Sequence, residues 1–89
     1  MGLRVEIVKD ITGEHYVLVI GNVRKMLSDS ELVKMKKIAG STEQTDASVN
    51  LLNYFKRERL DIIREAELDD PKRGKLICGA VVQILKQYF

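Results

Sequence analysis

The chain has 89 residues, a formal net charge of +2, 45% hydrophobic and 31% charged side chains. Those proportions fit one small globular domain with a modest core and argue against a disordered tail. The longest uninterrupted apolar run, residues 16–20, falls far short of the ~20 residues a membrane helix needs, and no block of like charges marks a nucleic-acid-binding arm.

Residues 3–9 alternate apolar and charged side chains, with Leu3, Val5 and Ile7 on one face and Arg4 and Glu6 on the other. That period of two predicts a half-buried strand, and the segment lacks the apolar stretch of a signal peptide. Residues 10–14 (DITGE) read as a turn, with Gly13 free to take a positive φ. Residues 15–20 are apolar and β-branched on both faces. Such a strand sits at the centre of a sheet covered on both sides, or on one side by a partner. Gly21-Asn22 suits a two-residue hairpin of type II′, leading to a third short strand over 23–27. Residues 1–27 are therefore expected to form a two- or three-stranded antiparallel meander that needs helices to be stable.

Ser28 followed by Glu31 is a capping box that starts a short helix over 28–40. This helix should bury Leu32, Met35 and Ala39, turn Lys34 and Lys37 outward, and end on Gly40. Ser41 and Gln44 repeat the capping pattern ahead of one long helix over 41–68, although Thr45 could instead start it a few residues later. Its Ser48, Leu51, Leu52, Phe55, Ile62, Ile63 and Ala66 fall within one arc of roughly 100°. Val49 and Leu60 form a smaller ridge outside it. A helix of about 25 residues would run ~38 Å, longer than the ~26 Å breadth expected of such a domain. It must protrude, break or pack against a second subunit, and the last is the expectation. Asp70 and Pro71 are strong start signals for a final helix over 70–88, with Ile77, Val81, Ile84 and Tyr88 in line on its apolar face, Leu76, Ala80 and Leu85 widening it and Val82 lying elsewhere. Strands followed by three helices, the second long, make a single α+β domain over 1–89.

Chemistry-bearing residues are few. Arg59 lies within the apolar arc of the long helix and must meet a carboxylate, carbonyls or water. It is expected to snorkel to solvent, to pair with Glu58 or Asp61 of a second subunit, or to contact a ligand anion. Residues 71–75 set Lys72, Arg73 and Lys75 in the first turn of a helix, where free N–H groups and cations could hold an anion, although the acidic residues just before them can neutralise it. His15 and Cys78 are single residues of their kinds, with no metal-ligand spacing. No nucleophile elbow, phosphate loop or dinucleotide turn is present.

These features point to a non-enzymatic protein-interaction module or homodimer without cofactors. Association would run through apolar helix faces at Val49, Leu52, Phe55, Arg59, Leu60 and Ile63. The alternative is a nucleic-acid-binding accessory protein using the basic surface of Lys34, Lys37, Lys72, Arg73 and Lys75. A single cysteine, unable to form an internal disulfide, favours a reducing, cytoplasmic setting.

Overall fold

A computed structural model describes residues 3–13, 15–41 and 43–89. Met1, Gly2, Glu14 and Thr42, which fall in the expected meander, turn and long helix, lie outside the described residues. The elements run β1 (Val5–Lys9), β2 (Tyr16–Ile20), β3 (Val23–Leu27), α1 (Asp29–Ser41), α2 (Gln44–Glu58), α3 (Leu60–Glu65) and α4 (Pro71–Tyr88). The expected α+β architecture is present: a three-stranded antiparallel sheet in the order β1-β2-β3, followed by helices.

The turns form as their residue types dictate. The Asp10 carboxylate accepts from the Ile11 N–H at 2.8 Å and the Thr12 hydroxyl at 3.0 Å, while Gly13 takes φ 77°. Gly21 takes φ 59°, and Asn22 is not among the residues with positive φ, which is the pattern of a type II′ hairpin. The register aligns Val5, Ile20 and Val23 in one row and Ile7, Leu18 and Lys25 in the next. With Tyr16 and Leu27, these residues form the face turned to the helices. The opposite face carries Glu6, Val19 and Arg24 in one row and Val8, Val17 and Met26 in the next. None of those six belongs to the core cluster.

Ser28 and Glu31 make the capping box reciprocally: the Ser28 N–H donates to Glu31 Oε1 at 3.1 Å and the Glu31 N–H donates to Ser28 Oγ at 3.2 Å. Leu32, Met35 and Ala39 are buried as expected. Gly40, however, is not a left-handed cap; it lies exposed within α1, which continues to Ser41. The second capping box also fails. The N-cap of α2 is Glu43, with no side-chain cap bond, and the Gln44 amide instead donates to the Gly79 carbonyl of α4 at 2.9 Å.

The continuous helix over 41–68 is interrupted at Arg59, whose φ −137° and ψ 65° are not helical. The break lets the chain hold that length within principal extents of 34 × 28 × 26 Å. The apolar arc survives the break, for Ser48, Leu51, Leu52, Phe55, Ile62, Ile63 and Ala66 are all buried. α3 then ends in a Schellman-type cap in which the Leu68 N–H donates to the Ile63 carbonyl at 2.9 Å and Glu67 takes φ 57°. α4 begins as predicted, with the Asp70 carboxylate accepting from the Lys72 N–H at 3.3 Å and Pro71 in the first turn. Its buried face runs through Gly74, Ile77, Cys78, Val81, Val82 and Leu85. The face is rotated from the expected line: Tyr88 is 76% exposed, while Val82, placed elsewhere by the sequence reading, is fully buried.

Candidate functional site

Arg59 sits where three elements meet, and four hydrogen bonds fix its guanidinium. Its Nε and Nη2 donate to the two Asp61 oxygens at 3.1 Å each, and Nη1 donates to Glu31 Oε2 at 2.7 Å and to the Met26 carbonyl at 3.0 Å. Beside it Lys25, on the helix-facing side of β3, pairs with Glu65 and with Asp61 at 3.3 Å. The bidentate bond from Arg59 holds the Asp61 carboxyl down to about 2, against some desolvation. Burial pushes Glu31 up, but the Arg59 and Ser28 bonds outweigh it and leave Glu31 below its ordinary value. The hydrogen bond to Asp61 raises Arg59 in turn, with Glu31 adding to the effect against desolvation. The cluster is electrostatically closed: each member already has a partner of opposite sign. It ties β3, α1 and α3 together; the guanidinium does not reach into open solvent as expected but pairs with Asp61 and Glu31 of the same chain.

The remaining predicted contact residues divide by burial. Leu52, Phe55 and Ile63 lie in the chain's own core at 6%, 0% and 4% exposure. They are therefore spent inside the subunit in this fold. Val49 is half-buried and Leu60 is exposed, so the second ridge is only partly covered. Of the predicted anion contacts, Lys34 and Lys37 are exposed on α1, and Lys72 and Lys75 are exposed on the first turns of α4. Arg73 is already engaged, donating from Nε to the Ala66 carbonyl at 3.0 Å and so capping the end of α3. The structure thus places Lys72 and Lys75 together and separates Arg73 from them. Cys78 is wholly buried, and burial pushes its thiol up to about 12, with Lys56 opposing weakly. No group of three metal-ligating side chains occurs among the described residues. No helix among them is long and apolar enough to cross a membrane.

Two concavities stand out on the helical layer. One, of about 780 Å³, lies between α3 and the start of α4 and is lined by Leu60, Ile63 and five charged residues of both signs. Two of those five, Asp70 and Arg73, are committed to capping helices. The other, of about 660 Å³, is a groove between α2 and α4. Gly79 permits it: a Cβ there would meet Ser48 Oγ at 3.3 Å and the Gln44 amide at 3.6 Å, so the two helices approach closely along its floor. Ser48, Gly79 and Ala80 keep that floor shallow and small-sided, and Leu76 stands on its wall at 75% exposure. Lys72 and Lys75 are the charged residues of its lining.

Sequence reading missed this groove because it counted Leu76 and Ala80 as a widening of the buried stripe. The usable signal was the spacing of Leu76, Gly79, Ala80 and Gln83, a three-and-four repeat in which small residues alternate with one large apolar side chain. No family model matches the chain, and comparison with curated proteins and with solved structures gives no significant match.

Proposed function

We propose that the protein is a non-enzymatic interaction module whose working surface is the α2–α4 groove. Its occupant is one amphipathic helix of a partner protein, with a stripe of small and medium apolar residues and acidic residues beside that stripe. The carrying observation is Leu76: a large side chain 75% exposed beside a floor of Ser48, Gly79 and Ala80. A helix laid into such a floor can approach closely and cover Leu76, which is the helix-in-groove mode of recognition. Charge decides the flanks, because Lys72 and Lys75 line the groove with no acidic side chain among the lining residues. The non-enzymatic part of the reading is supported by the closed Arg59 cluster and by the depth and high pKa of the Cys78 thiol.

The test uses designed helical peptides of about 15–20 residues, long enough to form several turns. Each carries the same Leu/Ala stripe, flanked by Glu in one series and Lys in the other. Calorimetry should show binding of the Glu series. Leu76→Asp should weaken it at least about tenfold, and a Lys72→Glu/Lys75→Glu variant should prefer the Lys series. Absence of binding, or binding indifferent to the flanking charge, would refute the reading. Mixed-sequence RNA or DNA bound at low salt in preference to every peptide would favour the nucleic-acid alternative.

A further inference from the structure

The sheet presents a second uncovered surface, on the side away from the helices. Its central row is Val8–Val17–Met26, with Val8 37% and Met26 55% exposed and Val17 half-buried. The adjacent row is Glu6–Val19–Arg24, in which Val19 is shielded to 3% exposure yet lies outside the core cluster. We propose that this face packs against the same face of a second copy, forming a two-fold dimer whose axis runs along β2. The surface is distinct from the α2–α4 groove, and the proposal stands independently of that groove's function.

Charge placement selects both the occupant and the axis. Glu6 on β1 and Arg24 on β3 lie in one row on opposite sides of β2, so that row carries a carboxylate, paired with Arg4 of its own strand end, on one side and a guanidinium on the other. A two-fold axis along β2 sets β1 of one copy over β3 of the other. Glu6 then faces the second copy's Arg24 at two symmetry-related points, Val8 faces Met26, and Val17 packs on its own copy. A two-fold axis across the strands would instead set each strand on itself, placing Glu6 against Glu6 or Val8 and Arg24 against Arg24 or Met26. Arg4, which holds Glu6 at 2.6 Å, stays at the exposed rim beside the pair.

The edges of the sheet are less suited to association. Lys25 is an inward-pointing charge on edge strand β3, tied to Asp61 and Glu65, and α4 packs beside β1. The face itself measures about 14 by 17 Å from ordinary strand spacing and rise. An aligned packing of that size falls well below the standard interface area, so a weak, transient dimer is expected.

Sedimentation equilibrium in a concentration series reaching sub-millimolar protein tests the proposal with two single variants, Glu6→Lys and Arg24→Glu. Each sets like charges at both contacts and should weaken the dimer at least about tenfold. An equimolar mixture of the two restores opposite charges at both contacts and should recover dimers, now mixed ones. Both positions are solvent-accessible, and circular dichroism verifies that each variant is folded. Met26→Glu in the wild-type background should dissociate the dimer without altering helix content, giving an independent readout of the same face. Wild-type protein that stays monomeric throughout that concentration series would overturn the proposal. So would single variants that dimerise like the wild type, or a mixture that fails to recover dimers.

Discussion

Arg59 closes one helix and opens the next while its side chain ties down two other elements. Its N–H donates to the Phe55 carbonyl at 2.8 Å, ending α2, and its carbonyl accepts from the Ile62 N–H at 3.1 Å, starting α3. The guanidinium meanwhile holds Glu31, Asp61 and the Met26 carbonyl. Replacing it with methionine keeps the apolar stem and removes all four charge-assisted bonds. With 18% of the side chain exposed, the expected loss is about 1–3 kcal/mol in denaturant unfolding, less than for a fully buried pair. The dependence on pH has a definite sign. Asp61 and Glu31 lie lower in the fold than in the unfolded chain, so their contribution is complete above about pH 4–5. It fades as pH falls through the folded values, near 2 for Asp61. Acid titration of stability should therefore slope less steeply in Arg59→Met than in the wild type; equal slopes would show that the cluster contributes nothing to it. Glu67 is the other residue with an identifiable cost. Its φ of 57° is a conformation that glycine adopts freely at a helix end. Glu67→Gly should raise stability by several tenths to about 1 kcal/mol, readable as a higher melting temperature, whereas a decrease would mean the Glu67 side chain contributes more than its backbone costs.

At the scale of elements, local chemistry was legible in the sequence wherever neighbouring residues decide the outcome. The three strands, the Ser28–Glu31 capping box and the Asp70-Pro71 helix start all depend on residues within a few positions of one another. The break between α2 and α3 does not. No glycine or proline marks position 59, and the apolar arc runs through it unbroken. The interruption comes with partners 28 and 33 residues away in the chain, Glu31 and Met26, which periodicity cannot see. The rotated face of α4 has a similar origin. Tyr88 falls in line with Ile77, Val81 and Ile84, and Leu76 lies beside that line, but burial goes to Cys78 and Val82. Gly74, read as part of a cationic turn, is a packing residue: a Cβ there would meet the Leu68 carbonyl at 2.6 Å and the Leu52 methyl groups at 3.1 and 3.2 Å. Gly74→Ala should cost roughly 1–3 kcal/mol despite the higher helix propensity of alanine. A stabilised variant would show that the end of α3 can move away from α4.

For the molecule as a whole, the two layers divide the work. The helical layer covers one face of the sheet and carries the α2–α4 groove on its own surface; the sheet's other face is the one we propose pairs with a second copy. A dimer through that face would present two grooves, and a partner with two acidic amphipathic helices would gain from binding both. The candidate site was the least legible feature, because it depends on which apolar residues the fold leaves uncovered, and Leu76 differs from its buried neighbours only in the direction it faces. The groove reading is tested most directly by amide chemical-shift mapping with the Glu-flanked peptide. Shifts concentrated at Ser48, Lys75, Leu76, Gly79 and Gln83, and abolished by Leu76→Asp, are the result expected. Shifts centred instead on Leu60, Arg64 and Arg73 around the charged hollow, or no shifts at saturating peptide, would contradict it.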